Sequence, residues 1–167
     1  LTGSMKKFQL TPITKNSLDE TGYFNWKNAK GEVLSLSNFK GRIVLLNFWA
    51  TWCLPCIKEL PSMERLQTKF KEDDFTIIAI SLDRGGKSVA ARLLRRLKLK
   101  KLTLYTDKEN KSAQKLGVKF MPTTFIFDRE SRKLGKLQGG IEWDSTNAEA
   151  LIKYFINHPN YASTKKE

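Results

Sequence analysis

Cys53 and Cys56 are the only cysteines of the sequence, and they stand as Cys53-Leu54-Pro55-Cys56. Two thiols at this spacing can close into a disulfide. An apolar run, Ile43 to Trp49, precedes them and a helical pattern follows, so the pair is expected at a strand-to-helix turn. At a helix N-terminus the backbone N–H groups and the dipole favour the thiolate of the first cysteine. Cys53 is therefore the candidate nucleophile. Cys56, one turn further in, is expected to be more buried and less ionised, and to resolve a mixed disulfide by attacking the Cys53 sulfur. Pro55 suits the first helical turn, where a missing N–H is no loss. The competing interpretation is a pair of ordinary core cysteines. Trp52 and Pro55, framing the pair at the junction, argue against it.

Three further residues belong to the same chemistry. Glu59 follows Cys56 by three positions, on the same helix face. A carboxylate there raises the pKa of the inner thiol and can accept its proton when Cys56 attacks. It is otherwise an exposed helix glutamate. Pro122 heads a strand in Phe120-Met121-Pro122-Thr123-Thr124. A proline there removes a ladder donor. A cis Met121–Pro122 bond would account for it and leave the Met121 backbone free to pair with an incoming peptide; a trans edge proline serves equally well. Asn47 is polar within an apolar strand. It faces the underside of the active-site helix or satisfies local backbone groups.

The elements that must position these residues follow from periodicity. Tyr23–Trp26 and Glu32–Leu36 read as a β-hairpin about the turn Asn28–Gly31, and Ser37–Gly41 as a single helical turn. Ile43–Trp49 reads as a strand buried on both faces. Cys56, Leu60, Met63, Leu66 and Phe70 recur at helical spacing, with a kink expected at Pro61. Phe75–Leu82 reads as a second buried strand, Lys87–Leu99 as an amphipathic helix and Leu102–Tyr105 as a short strand. A helix over Asp107–Leu116 stops at Gly117. Thr123–Phe127 and Lys133–Leu137 form an antiparallel pair. Asp144 or Ser145 caps a last helix that ends at His158-Pro159. Helices alternating with strands predict an α/β fold with a central mixed β-sheet flanked by helices and an extra N-terminal β-hairpin. Residues 1–4 (LTGS) read as a cloning scar, 5–20 as a lead-in, 21–158 as the domain and 159–167 as a frayed tail.

The chain has 167 residues, 40% of them hydrophobic, enough for one domain with a real core. No apolar run is long enough to span a membrane. The formal charge is +13, which suits anionic partners: nucleic acid, a membrane surface or acidic proteins. The plainer account is a lysine-rich solvated surface, since basic residues occur throughout. The densest stretch, Arg84–Lys101, has no interleaved aromatics, so nucleic acid is not expected as a partner. The same stretch suits an acidic partner or anionic headgroups. A four-ligand zinc site is unexpected, because the only histidine, His158, lies in the C-terminal tail. Two thiolates could instead hold Cu(I), which makes a copper-delivery protein the alternative function.

Phe48–Cys56 together with Met121-Pro122-Thr123-Thr124 resembles the thioredoxin superfamily. Ser37–Gly41, the strand after it, Glu59-Leu60-Pro61 and the N-terminal hairpin resemble its membrane-anchored TlpA/ResA branch. Ser81–Gly86 and Gly140–Ser145 look closest to the TlpA group. The resemblance implies a thioredoxin-like fold and a thiol–disulfide oxidoreductase, working mainly as a protein-disulfide reductase. It implies no organic cofactor, only a redox-active Cys53–Cys56 disulfide. Cys53 takes the place of the nucleophile, Cys56 of the resolving thiol, Glu59 of the active-site glutamate and Pro122 of the cis-proline. Trp52, Leu54, Pro55, Met121 and Thr123 are the expected substrate contacts. The implied partners are protein disulfides of cytochrome c or cytochrome oxidase copper-site assembly, and a membrane thiol carrier of the DsbD or CcdA kind. The implied setting is the periplasm of a Gram-negative bacterium, with a monomer held to the inner membrane by an N-terminal anchor that this chain does not include. Two positions depart from the pattern. Asn47 stands where thioredoxin carries a buried aspartate, and Met121 is bulkier than the usual valine or isoleucine.

Overall fold

The computed structural model describes residues 9–10, backbone only, and 24–161. The cloning scar, most of the lead-in, Tyr23 and the tail beyond Tyr161 lie outside these residues. The described residues form one mixed sheet of eight strands: β1 (Gln9–Leu10), β2 (Trp26–Asn28), β3 (Val33–Leu34), β4 (Ile43–Trp49), β5 (Phe75–Ser81), β6 (Tyr105–Thr106), β7 (Thr123–Phe127) and β8 (Lys133–Gln138). Their order is β1-β8-β7-β4-β5-β6-β2-β3. The core pairs β4–β5 and β5–β6 are parallel, and every other pairing is antiparallel. Four helices join them: α1 (Leu54–Thr68), α2 (Lys87–Arg96), α3 (Lys111–Lys115) and α4 (Thr146–Asn157), with a 3-10 turn at Leu36–Phe39. This is the thioredoxin-like fold, with the β2–β3 hairpin added at one edge.

Strand β4 is buried at all seven positions, and the period of two divides it between two cores. Ile43, Leu45 and Trp49 join Leu60, Met63 and Leu66 of α1, Leu93 and Leu94 of α2, and Ile152 and Phe155 of α4. Val44, Leu46 and Phe48 face the other way, toward Trp26, Leu36, Phe125 and Phe127. Helices on both faces explain the unbroken apolar run. Asn47 falls on the α1 side of this alternation, directly in line with Leu45 and Trp49.

Several boundaries differ from the expected ones, each for a local reason. Gln9–Leu10, within the expected lead-in, pairs with Lys136 and Gly135 of β8; two residues are too few to show a period. Helix α2 stops at Arg96 rather than Leu99. Lys98 takes a left-handed conformation (φ 57°), and the Leu99 N–H donates to Leu94 O at 3.0 Å. This Schellman closure usually falls on glycine, and here lysine fills it. Strand β6 covers only Tyr105–Thr106 rather than Leu102–Tyr105, and α3 begins only after Asn110 rather than at Asp107. The Asp107 carboxylate reaches forward to accept from the Ser112 N–H at 2.7 Å. Pro61 lies inside α1, which continues through it to Thr68. Ser145 is the cap of α4, accepting from the Ala148 N–H, whereas Asp144 pairs with Arg65.

Candidate active site

Strand β4 ends at Trp49, and a tight turn carries the chain into α1 with the Cys53 N–H donating to Ala50 O at 3.1 Å. The turn is tied down by Asp83, just beyond β5. Its carboxylate accepts from the Thr51 N–H (3.0 Å), the Thr51 hydroxyl (2.6 Å) and the Ser81 hydroxyl (2.8 Å). In the sequence Asp83 stands out only as part of Ser81–Gly86, one of the segments that carry the family resemblance. Its role becomes visible when the parallel β4–β5 register sets the two strand ends side by side.

Cys53 is the N-cap of α1, in extended conformation, and Pro55 occupies the first turn. The first turn contains no acidic residue, so the positive end of the helix is left to the cysteine. Cys53 and Cys56 are joined as a disulfide with Cα atoms 5.3 Å apart. Cys53 is 6% exposed and Cys56 fully buried. The neighbours are open instead: Trp52 is 73% exposed, Leu54 61% and Phe120 66%. Together with Pro55, Met121 and Cys53 they wall an open cleft of about 1030 Å³. Met121 also packs against the core that holds both cysteines. The Met121–Pro122 peptide bond is cis. Thr123 is buried, with its hydroxyl donating to Phe120 O at 2.6 Å. Its side chain turns to the chain before it rather than to the cleft.

Glu59 is 3% exposed, not a solvated helix glutamate. Three donors converge on its carboxylate. Asn47 Nδ2 reaches Oε1 at 2.7 Å, while the Ile141 N–H (3.0 Å) and Trp143 Nε1 (3.3 Å) reach Oε2. Burial pushes its pKa up from 4.5 to about 7, against the lowering effect of these three hydrogen bonds. Asn47 resolves in favour of the helix underside. Its Nδ2 also donates to Thr124 Oγ1 at 2.9 Å, and its Oδ1 has no hydrogen-bond partner. The Gly140–Trp143 segment, legible in the sequence only as part of a resemblance, is thus the far wall of the carboxylate site. Ser62 fastens it to α1: its hydroxyl donates to Glu59 O at 2.7 Å and accepts from the Trp143 N–H at 3.0 Å. A cleft of about 310 Å³, bounded by Pro55, Lys58, Arg65 and Gly140, opens onto Glu59 from solvent. Among the described residues no three His, Cys, Asp or Glu side chains gather as a metal site.

A disulfide at the N-cap of the first long helix, a cis-proline and a buried carboxylate one turn behind the inner sulfur define a thioredoxin-fold protein with a dithiol–disulfide redox centre. Comparisons with known proteins agree. Residues 18–133 match the AhpC/TSA family. Thiol-disulfide oxidoreductase ResA of Bacillus thuringiensis subsp. konkukian is 36% identical over 110 residues, 66% of this chain and 62% of the relative. Thioredoxin-like protein YneN of Bacillus subtilis is 37% identical over 108 residues, 64% of this chain and 62% of the relative. A crystal structure from Chlorobium tepidum, assigned as thiol:disulfide interchange protein DsbE, is 32% identical with a TM-score of 0.70, covering 80% of this chain and 92% of that one. The chain belongs to the AhpC/TSA family and, within the thioredoxin fold, to the ResA/DsbE-like thiol–disulfide oxidoreductases. Its match spans about 62% of the length of those ResA and YneN relatives.

Proposed function

We propose that this protein reduces protein disulfides by dithiol–disulfide exchange at Cys53 and Cys56. The observation that carries the reading is the asymmetry of the pair. Cys53 caps α1 beside an open cleft, while Cys56 is fully buried. In the reduced protein, the Cys53 thiolate attacks one sulfur of the substrate disulfide. A Cys53–substrate bond forms, and the other substrate sulfur leaves as a thiolate that takes a proton. Cys56 then gives its proton to the Glu59 carboxylate and attacks the Cys53 sulfur. The second substrate thiol is released and the Cys53–Cys56 disulfide closes. Two electrons have passed to the substrate, and a second dithiol must return them. A carboxyl with a pKa of about 7 is matched to taking and returning a proton near neutrality.

Trp52, Leu54, Pro55 and Met121 make the apolar contact with the substrate, and the Met121 backbone beside the cis-proline pairs with its chain. Thr123 is not assigned a contact. The substrates we favour are the protein disulfides of cytochrome c or of cytochrome oxidase copper-site assembly, with electrons from a membrane dithiol carrier of the DsbD or CcdA kind. Ser81–Gly86 and Gly140–Ser145 support placing the protein nearest the TlpA group, in a Gram-negative periplasm behind a membrane anchor. Copper held by the pair would take any further ligand from a partner, and no observation favours it as the main role.

Thiol trapping tests the assignment. Cys56→Ser incubated with a disulfide substrate should accumulate a mixed disulfide through Cys53, and Cys53→Ser should accumulate none. Full reduction of substrate by Cys53→Ser would refute it.

A further inference from the structure

The cleft at Cys53 has a neighbour. A second cleft, of about 650 Å³, lies between β2, the Arg84–Ser88 turn and the Asp107–Lys111 turn. The two share Arg84, Gly85, Lys108 and Glu109 as a common wall. Besides Lys111, five exposed cations bound the pair of clefts: Lys119 on the disulfide side, Arg84 and Lys108 on the shared wall, Lys87 and Lys27 on the far side. None of the five has an ion pair among the described residues. Of the acids there, Glu109 pairs with Lys111 and also attracts Lys108 and Lys27 at longer range, and buried Asp107 accepts from the Ser112 N–H and hydroxyl.

Lys87 stands in the first turn of α2 at the positive end of the helix, with no acidic residue beside it to offset the dipole. Like charges collected around a concave surface repel one another, and a ligand of opposite sign relieves that repulsion.

We propose that the two clefts form one docking track for an acidic, extended polypeptide segment that flanks the disulfide presented to Cys53. The proposal rests on the disulfide-exchange reading and names the kind of substrate it takes. The occupant is a polypeptide because the wall carrying Arg84 and Lys108 also bounds the cleft onto Cys53, where a partner must deliver a sulfur atom. Trp52, Leu54 and Phe120 hold the apolar residues next to that sulfur. The cations lead the acidic side chains away toward β2.

The test uses fluorescence anisotropy on the oxidised protein. The probes are a labelled peptide with a run of glutamates beside an S-methylated cysteine, and its glutamine counterpart. The glutamate peptide should bind about tenfold more tightly at low salt, as summed over several exposed charge pairs. The preference should shrink as salt rises. Lys27→Gln/Lys87→Gln should remove most of the preference. Lys71→Gln/Lys153→Gln, an equal charge change on exposed residues outside both clefts, should leave it intact. Equal binding of the two peptides, or equal effects of the two double variants, would overturn the proposal. So would binding of phosphatidylglycerol vesicles through Lys27 and Lys87 with no peptide preference. The probe contains no exchangeable sulfur, so failed disulfide reduction would remove the redox reading while this result stood.

Discussion

Glu59→Gln should change how stability depends on pH, by an amount the structure sets. Burial raises the carboxyl from 4.5 to about 7, which makes the charged form about 3 kcal/mol less favourable in the folded protein than in the unfolded chain. The sign follows from proton counting. Between these two values the folded carboxyl keeps a proton that the unfolded chain has lost, so unfolding free energy falls as pH rises. The stabilising contribution is fully present below 4.5 and is lost as pH rises through about 7. The glutamine variant has no such dependence. Its amide can also be accommodated: Asn47 Oδ1 lacks a partner, and turning the Asn47 amide over presents that oxygen to the new N–H group. Urea unfolding of the oxidised proteins, followed by tryptophan fluorescence across this range, measures the difference. Wild type should lose about 3 kcal/mol more than the variant between the acid limit and mildly alkaline pH, because all other titrating groups are shared. Parallel curves would refute the argument that Glu59 is a high-pKa buried acid.

Two further substitutions test the frame around the site. Asp83→Ala strips the acceptor from the half-buried Thr51 N–H and hydroxyl; it should cost about 2 kcal/mol in denaturant unfolding and slow disulfide exchange by loosening the turn before Cys53. Ser145→Ala removes the side-chain cap of α4 and should cost about 1 kcal/mol with no change in exchange rate.

Much of this arrangement is legible in the amino-acid sequence because it is written in local periods. The apolar run of β4, the helical spacing of α1 and the glycine stop of α3 at Gly117, which is left-handed with φ 67°, all occur as expected. So does the Cys53–Cys56 pair at the helix N-terminus, whereas the residues alone leave the Met121–Pro122 bond open and only the family resemblance implies the cis form that is found. What escapes a local reading is made by distant partners. Glu59 is held by Asn47 twelve residues earlier, and by Ile141 and Trp143 from the segment after β8, some eighty residues later. The early end of α2 escapes because Lys98 takes a backbone conformation that its side chain does not advertise. The paired clefts draw their cations from β2, the turn after β5, the start of α2, the turn after β6 and the segment before β7. In the sequence these lysines are lost in a charge of +13 spread along the whole chain.

The central claim is that the Cys53–Cys56 pair works as a reductant. Its reduction potential, from equilibration of the purified protein with glutathione buffers and alkylation of free thiols, tests this most directly. A value toward the thioredoxin end, near about −270 mV, is the result expected of a reductant; a value near about −120 mV, as for a strong oxidant on the same scaffold, would contradict it.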